Sequence, residues 1–153
     1  MKPLIVYADT SVFGGVFDES FALPSRMFFE QVRQGRFQLV SSALVVDELS
    51  GAPQQVREFF RRLAKWVDIV DIPKEAVELR NAYLSAGIVG ESSRDDAQHV
   101  AISTVLGCWT IVSWNFRHIV HVRKIPLYNG VNKAQGYSEI AIHTPQEVLA
   151  DED

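Results

Sequence analysis

Short apolar runs alternate along this chain with longer stretches whose apolar side chains recur at helical spacing, and that alternation limits the fold more than any other feature. "LIVYA" (4–8), "FQLVSS" (37–42), "VDIVDI" (67–72), "WTIVSW" (109–114) and "SEIAIHT" (138–144) read as strands. Between them, "LPSRMFFEQVRQG" (23–35), "ALVVDELSG" (43–51), "PQQVREFFRRLAKW" (53–66) and "KEAVELRNAYLSAG" (74–87) read as helices. Three of these stop at a glycine, and the fourth opens with a proline at a first-turn position. A further helix is expected over about 93–107, and "PQEVL" reads as a short terminal one. This order predicts an α/β fold with a mainly parallel central sheet of about five strands. Residues 1–153 are expected to form a single domain, because no repeat, low-complexity segment or linker interrupts them.

In open parallel sheets ligands gather beyond the carboxyl ends of strands, where the chain order reverses. Asp9 follows the first strand directly, and Asn115 follows the fourth. Those ends are the places to search for chemistry. "SSRDDAQHVAIS" (92–103) sets Asp95 and Asp96 in the first turn of a helix whose Ala97, Val100, Ala101, Thr104 and Val105 form one stripe. Ser92 with Asp95, and Ser93 with Asp96, match capping boxes, so two carboxylates compete for one capping role. Asp95 is assigned to capping, which leaves Asp96 for a site. Asp9 within "YADTS" can cap a helix beginning at Thr10 or Ser11. Glu48 in "VVDELS", with Asp47 beside it, reads alone as a solvated glutamate.

Taken together, Asp9, Glu48 and Asp96 come from three elements that one sheet edge can gather. Three packed anions drive one another toward protonation, and a divalent cation reverses that penalty. Magnesium or manganese suits oxygen ligands and keeps waters. Such an ion can activate water and neutralise a phosphodiester. The constellation therefore favours metal-dependent phosphodiester hydrolysis. An aspartyl nucleophile at Asp9 is a lesser reading, because "DTSV" lacks a second Asp two residues on. The single cysteine, Cys108, excludes an internal disulfide framework and points to a reducing cytoplasm. A net charge of −4 does not advertise nucleic-acid binding, though clustered carboxylates contribute to it. No apolar run approaches the roughly 20 residues of a membrane span.

"VYADTSV", "VVDELS", "DDAQHVAISTVLG" and "TIVSWNFRHIV" resemble, in order and spacing, the motifs of PIN-domain ribonucleases. The resemblance is nearest to the toxins of bacterial VapBC-type toxin–antitoxin systems, and the tail "NKAQGYSEIAIHTPQEVL" resembles a subset of them. It implies a PIN-like three-layer α/β/α sandwich that binds Mg2+ or Mn2+ and cleaves RNA. By this resemblance Asp9, Glu48 and Asp96 are the metal-holding acids, and Asn115 takes the polar position after the fourth strand. His118 stands where many members carry a fourth acid. Homodimers and a small antitoxin partner are further implications.

Asn115 can offer a carbonyl oxygen to a metal-bound water, or serve as a turn residue. His118 can ligate, contact phosphate or shuttle a proton, although packing at a helix start explains it as well. Thr10 and Ser11 can orient Asp9 or a water shell; His99, one turn beyond Asp96, can face the site, although a structural contact is the preferred reading. His121 and His143 have no metal-binding spacing. RNA needs basic groups, and Arg117, Arg123 and Lys124 adjoin Asn115. A second basic set, in "REFFRRLAKW", reads as one solvated face of a helix whose aromatics enter the core. "VFGGVF" (12–17) serves a partner surface or the core equally well. The competing function is a PIN-like RNA- or protein-binding module too depleted in acids for useful catalysis.

Overall fold

The computed structural model describes residues 2–150. Five strands, β1 (Leu4–Ala8), β2 (Phe37–Ser42), β3 (Val67–Val70), β4 (Thr110–Val112) and β5 (Ala141–His143), form one sheet. The order is β3-β2-β1-β4-β5, and every pairing is parallel. Around the sheet lie α1 (Thr10–Gly15), α2 (Ala22–Arg33), α3 (Ala43–Leu49), α4 (Gln54–Leu63), α5 (Lys74–Ser85), α6 (Arg94–Val105) and α7 (Lys124–Ala134). The chain steps from β1 outward to β3, then returns to the other side of β1 for β4 and β5. Right-handed crossovers therefore lay α1–α4 on one face and α5–α7 on the other. Packing agrees: α1 contacts α2 and α4, and α5 contacts α6 and α7. This is a three-layer, PIN-like α/β/α fold. No helix among the described residues is long and apolar enough to cross a membrane.

The central strands are apolar because both their faces are covered. Val6, Tyr7, Ala8, Ile111 and Val112 are fully buried, whereas edge strand β3 stays partly exposed. Helix α6 exceeds the single stripe expected for it: every residue from Ala97 to Thr104 is buried. It lies beneath α5 and against the sheet, so polar Gln98 and His99 need internal partners. Gln98 donates to the Ala76 carbonyl at 2.9 Å and accepts from Arg80 at 3.0 Å.

Two helices lie outside the elements expected from periodicity, although a helix beginning at Thr10 or Ser11 was allowed for. The first, α1, holds two of its six residues as glycine, yet Gly15 is where a side chain cannot fit. A Cβ there would lie 2.7 Å from Ser25 Oγ and 2.8 Å from Trp114 Nε1. Those two atoms are hydrogen-bonded at 2.9 Å, and Phe21 stacks on the Trp114 ring at 4.3 Å. Gly15→Ala is accordingly expected to lower stability by about 1–3 kcal/mol through overpacking, as read by urea unfolding. An unchanged midpoint would mean that the indole moves aside freely.

The second, α7, carries Pro126, Gly130 and two asparagines, which reads as loop. Pro126 sits within the first turn, where its missing N–H has no intrahelical use. The asparagines are buried and fully employed. Asn129 accepts from the Ile140 N–H at 2.7 Å and donates to the Ile140 carbonyl at 3.0 Å, imitating a strand neighbour. Asn132 accepts from Tyr83 Oη at 2.5 Å and donates to Asn129 Oδ1 at 3.1 Å. The tail segment "NGVN" thus clasps the approach to β5. Boundaries shift accordingly: β5 begins at Ala141 rather than 138, and the expected terminal helix is only a 3-10 turn, Gln146–Val148.

The expected capping boxes do not form. A 3-10 turn, Glu91–Ser93, leads into α6, and neither Ser93 nor Asp95 makes a side-chain capping bond there. Ser93 Oγ turns instead to His118 Nε2, 3.2 Å away.

Candidate active site

The strand order places its reversal between β1 and β4, so the crevice for chemistry opens at their carboxyl ends. Asp9 stands at the end of β1, only 4% exposed. It does not cap α1 with its side chain. Its Oδ1 accepts from Ser11 Oγ at 2.6 Å and its Oδ2 from Ser113 Oγ at 2.7 Å. Both serines are in turn anchored by backbone, Ser11 Oγ accepting from Trp114 N and Ser113 Oγ from Asn115 N, each at 2.9 Å. The carboxylate therefore rivets the ends of β1 and β4 together. Ser113 escaped the sequence reading, because only the pairing of Ala8 with Val112 brings it opposite Asp9.

Glu48 projects from α3, which Ser42 caps through a bond from the Val45 N–H to its Oγ. Glu48 Oε1 accepts from Thr10 Oγ1 at 2.9 Å and pairs with His99 Nε2 at 2.5 Å. Thr10 thus orients Glu48, while Ser11 orients Asp9. His99 is 2% exposed and reaches through its Nδ1 to Tyr7 Oη at 2.7 Å; that hydroxyl also meets Ser42 Oγ at 2.8 Å. A buried chain Ser42–Tyr7–His99–Glu48 results, joining β1, β2, α6 and α3. The structural contact expected of His99 is thus a contact to the acidic site itself. Asp47, beside Glu48, is exposed.

Asp96 is half-buried at the start of α6. Burial raises its pKa, and Glu48's charge adds to this, while the Asn115 amide and the His118 and His99 rings oppose it. Burial likewise raises Asp9, with Glu48 again adding, against His99 and the two serine hydroxyls. Glu48 goes the other way: despite burial, the His99 bond and charge and the Thr10 hydroxyl hold it below the ordinary range. Burial alone would lower His99, but the Glu48 bond and the charges of Asp9, Glu48 and Asp96 outweigh it and raise the ring. The three acids share one field. The charges of all three bear on His99.

Asn115 Oδ1 accepts from the His118 N–H at 2.9 Å, so its carbonyl closes a turn and its amide nitrogen is left to face Asp96. His118 Nδ1 lies 3.1 Å from Lys124 Nζ. Arg117 and Arg123 are exposed nearby in sequence, and His121 Nδ1 accepts from the Arg123 N–H at 3.2 Å. The other basic set behaves as expected: Arg57, Arg61 and Arg62 are exposed, while Phe59, Phe60 and Trp66 pack on the core. Phe13 also meets Phe60 edge-on within that core. A cleft of about 610 Å3, lined by Phe17, Met27, Phe59 and Arg62 among others, shares no residue with the acidic set.

Among the described residues, no three His, Cys, Asp or Glu side chains are gathered closely enough to cage a metal ion as they stand. The donor chemistry nonetheless suits one. Asp9 and Asp96 are hard oxygen donors whose charge burial disfavours. Each oxygen of Asp9 retains a lone pair beyond its serine bond. Magnesium is commonly held by one or two carboxylates and its own waters rather than by an all-protein cage.

No protein-family model and no curated protein matches the sequence. Solved structures do match the fold. VapBC2 from Rickettsia felis, bound to a DNA fragment from its promoter, is 14% identical with a TM-score of 0.56, over 92% of this chain and 98% of that one. A toxin–antitoxin complex from Klebsiella pneumoniae is 16% identical with a TM-score of 0.56, over 78% and 93%. Mycobacterium tuberculosis VapC20, described as a toxin cleaving the sarcin–ricin loop, is 13% identical with a TM-score of 0.57, over 88% and 98%.

Proposed function

We propose that this chain, which has the α/β/α fold of the VapC-type toxin structures, is a Mg2+- or Mn2+-dependent endoribonuclease and the toxin of a type II toxin–antitoxin pair. One observation supports the reading: Asp9 is buried at the carboxyl end of β1 beside β4, and Glu48 of α3 bonds both the neighbouring Thr10 and His99, which lies one turn beyond Asp96 on α6. Asp9 and Asp96 would hold the cation, and Glu48, steered by Thr10 and His99, would accept hydrogen bonds from its waters. A bound ion supplies charge neutralisation at the phosphodiester and lowers the pKa of water.

The protein's own groups do the remaining work. Ser11 and Ser113 fix the direction of Asp9. The Asn115 amide nitrogen steadies Asp96, and its carbonyl oxygen sets the turn that leads to His118. Arg117, Arg123 and Lys124 supply phosphate contacts that an acidic edge needs in order to keep RNA. A small cognate antitoxin and a homodimer are the partners that accompany this reading.

Incubating the purified protein with RNA in Mg2+, and again with EDTA, tests it directly. Cleavage in magnesium that chelation abolishes is the expected result; cleavage indifferent to chelation would overturn it. A second reading, a binding module without useful turnover, is favoured by His118 at the position of a fourth acid. RNA retention with no magnesium-dependent cleavage would select that alternative.

A further inference from the structure

Every polar atom of His118 is engaged. Its backbone N–H donates to Asn115 Oδ1 at 2.9 Å, and its carbonyl accepts from Tyr128 Oη at 2.7 Å. Its Nδ1 faces Lys124 Nζ at 3.1 Å, and its Nε2 faces Ser93 Oγ at 3.2 Å. An ammonium has donors and no acceptor, so Nδ1 must be the lone-pair nitrogen and Nε2 carries the hydrogen, donated to Ser93. A ring fixed in this way has no lone pair left for a metal. It can instead hold a lysine.

Lys124 is the unusual partner. It is half-buried, yet it makes no ion pair among the described residues, and His118 takes only one of its three N–H groups. Two donors remain on a cation that also opens helix α7, whose N-terminus adds partial positive charge. The His118 ring also meets Ser93, the residue that leads into α6 and Asp96, and its backbone bonds Asn115, so the cation stands beside the acidic edge. A compact ammonium with two unspent donors, fixed by a rigid neighbour, is suited to a phosphate oxygen.

We propose that Lys124, positioned by His118, grips the phosphate of a bound polynucleotide at this edge and supplies the positive charge that a second divalent ion would otherwise bring. The inference rests on the nuclease reading and adds two claims to it: one divalent ion per chain, and a lysine where further metal charge would act.

Two measurements test it. The first is a Mn2+ titration followed by the electron paramagnetic resonance signal of the free ion. The second is binding of a fluorescein-labelled single-stranded RNA dodecamer in Ca2+ across a series of salt concentrations. Wild type, Lys124→Met, Lys124→Arg, His118→Leu, the Lys124→Met/His118→Leu double variant and Lys74→Met are compared, with Asp9→Asn as the metal-site control. Wild type is expected to bind one Mn2+ per chain, and Lys124→Met to keep it. The log–log salt slope of RNA binding should shrink by about 0.7 in Lys124→Met, the loss of one phosphate contact to a single strand. His118→Leu should shrink it alike, and the double variant no further, because both changes remove the same contact. Lys124→Arg should preserve most of the slope, and Lys74→Met all of it.

A wild-type slope in Lys124→Met, or two Mn2+ per wild-type chain, would overturn the inference. If Mn2+ binding is normal and lost in Asp9→Asn, that failure leaves the nuclease reading standing. If wild type binds neither Mn2+ nor RNA, the nuclease reading falls, and the inference falls with it.

Discussion

Asp9→Asn is expected to abolish magnesium-dependent RNA cleavage, by roughly a hundredfold or more, while leaving the metal-free protein at least as stable as wild type. The two halves have one cause. Asp9 is an anion at 4% exposure whose charged form burial disfavours. Asparagine keeps the shape, retains an acceptor for one serine and offers a donor to the other, whose hydroxyl can rotate to receive it. Removing a buried charge relieves desolvation, and the melting temperature should hold or rise. Under the proposed function a bound cation would lose its most enclosed carboxylate, which at about 3 kcal/mol of transition-state stabilisation corresponds to that fall in rate. Cleavage assays alongside thermal unfolding in EDTA check both halves. An active variant would remove Asp9 from the site, and an unfolded one would show that the carboxylate is structural.

The second large effect concerns His99. Its ring joins Glu48 to Tyr7, and His99→Ala would take a buried partner from a half-buried carboxylate and leave a buried phenol with Ser42 alone. Removing one member of a buried pair costs about 3–5 kcal/mol. Because the Glu48 side chain is 31% exposed, about 3 kcal/mol is expected here in urea unfolding. The pH dependence has a definite sign. His99 is raised in the fold, so its contribution is full below the unfolded histidine pKa and is lost as pH climbs through the raised value. Glu48 is lowered, so its contribution is present above the unfolded glutamate pKa and is lost as pH falls through the depressed one. Metal-free protein should therefore be most stable on the mildly acidic side of neutrality, weakening on the alkaline side. In His99→Ala the alkaline loss should be blunted. A wild-type alkaline slope in that variant would remove His99 as its source.

Much of this architecture was readable from residues because burial on both faces writes an apolar run directly into a strand, as in "LIVYA" and "TIV". The acids stood out for a related reason: Asp9, Glu48 and Asp96 follow or flank core elements, where a charge needs a purpose. What could not be read depends on register and on buried polar partners. Nothing local marks Ser113 as the mate of Asp9, or Tyr7 as the link between Ser42 and His99; each needs strands laid side by side. Helix α7 was hidden because its stability comes from asparagines that bond inward, against their usual preference for turns. The capping role assigned to Asp95 failed for the converse reason. Two local motifs were present, but the 3-10 turn Glu91–Ser93 takes Ser92, the mate of Asp95, out of the cap position, and Ser93 has a partner across the fold in His118.

The serine-flanked carboxylate at the sheet's reversal has a consequence in time. Its two anchors, Ser11 and Ser113, are separated by about a hundred residues of chain, and Lys124 and the Asn129 clasp lie later still. An emerging polypeptide therefore holds Asp9 from one side only until Ser113 has been made. The acidic edge is therefore complete only once β4 has been made and has docked beside β1, so its geometry cannot form from the first half of these residues alone.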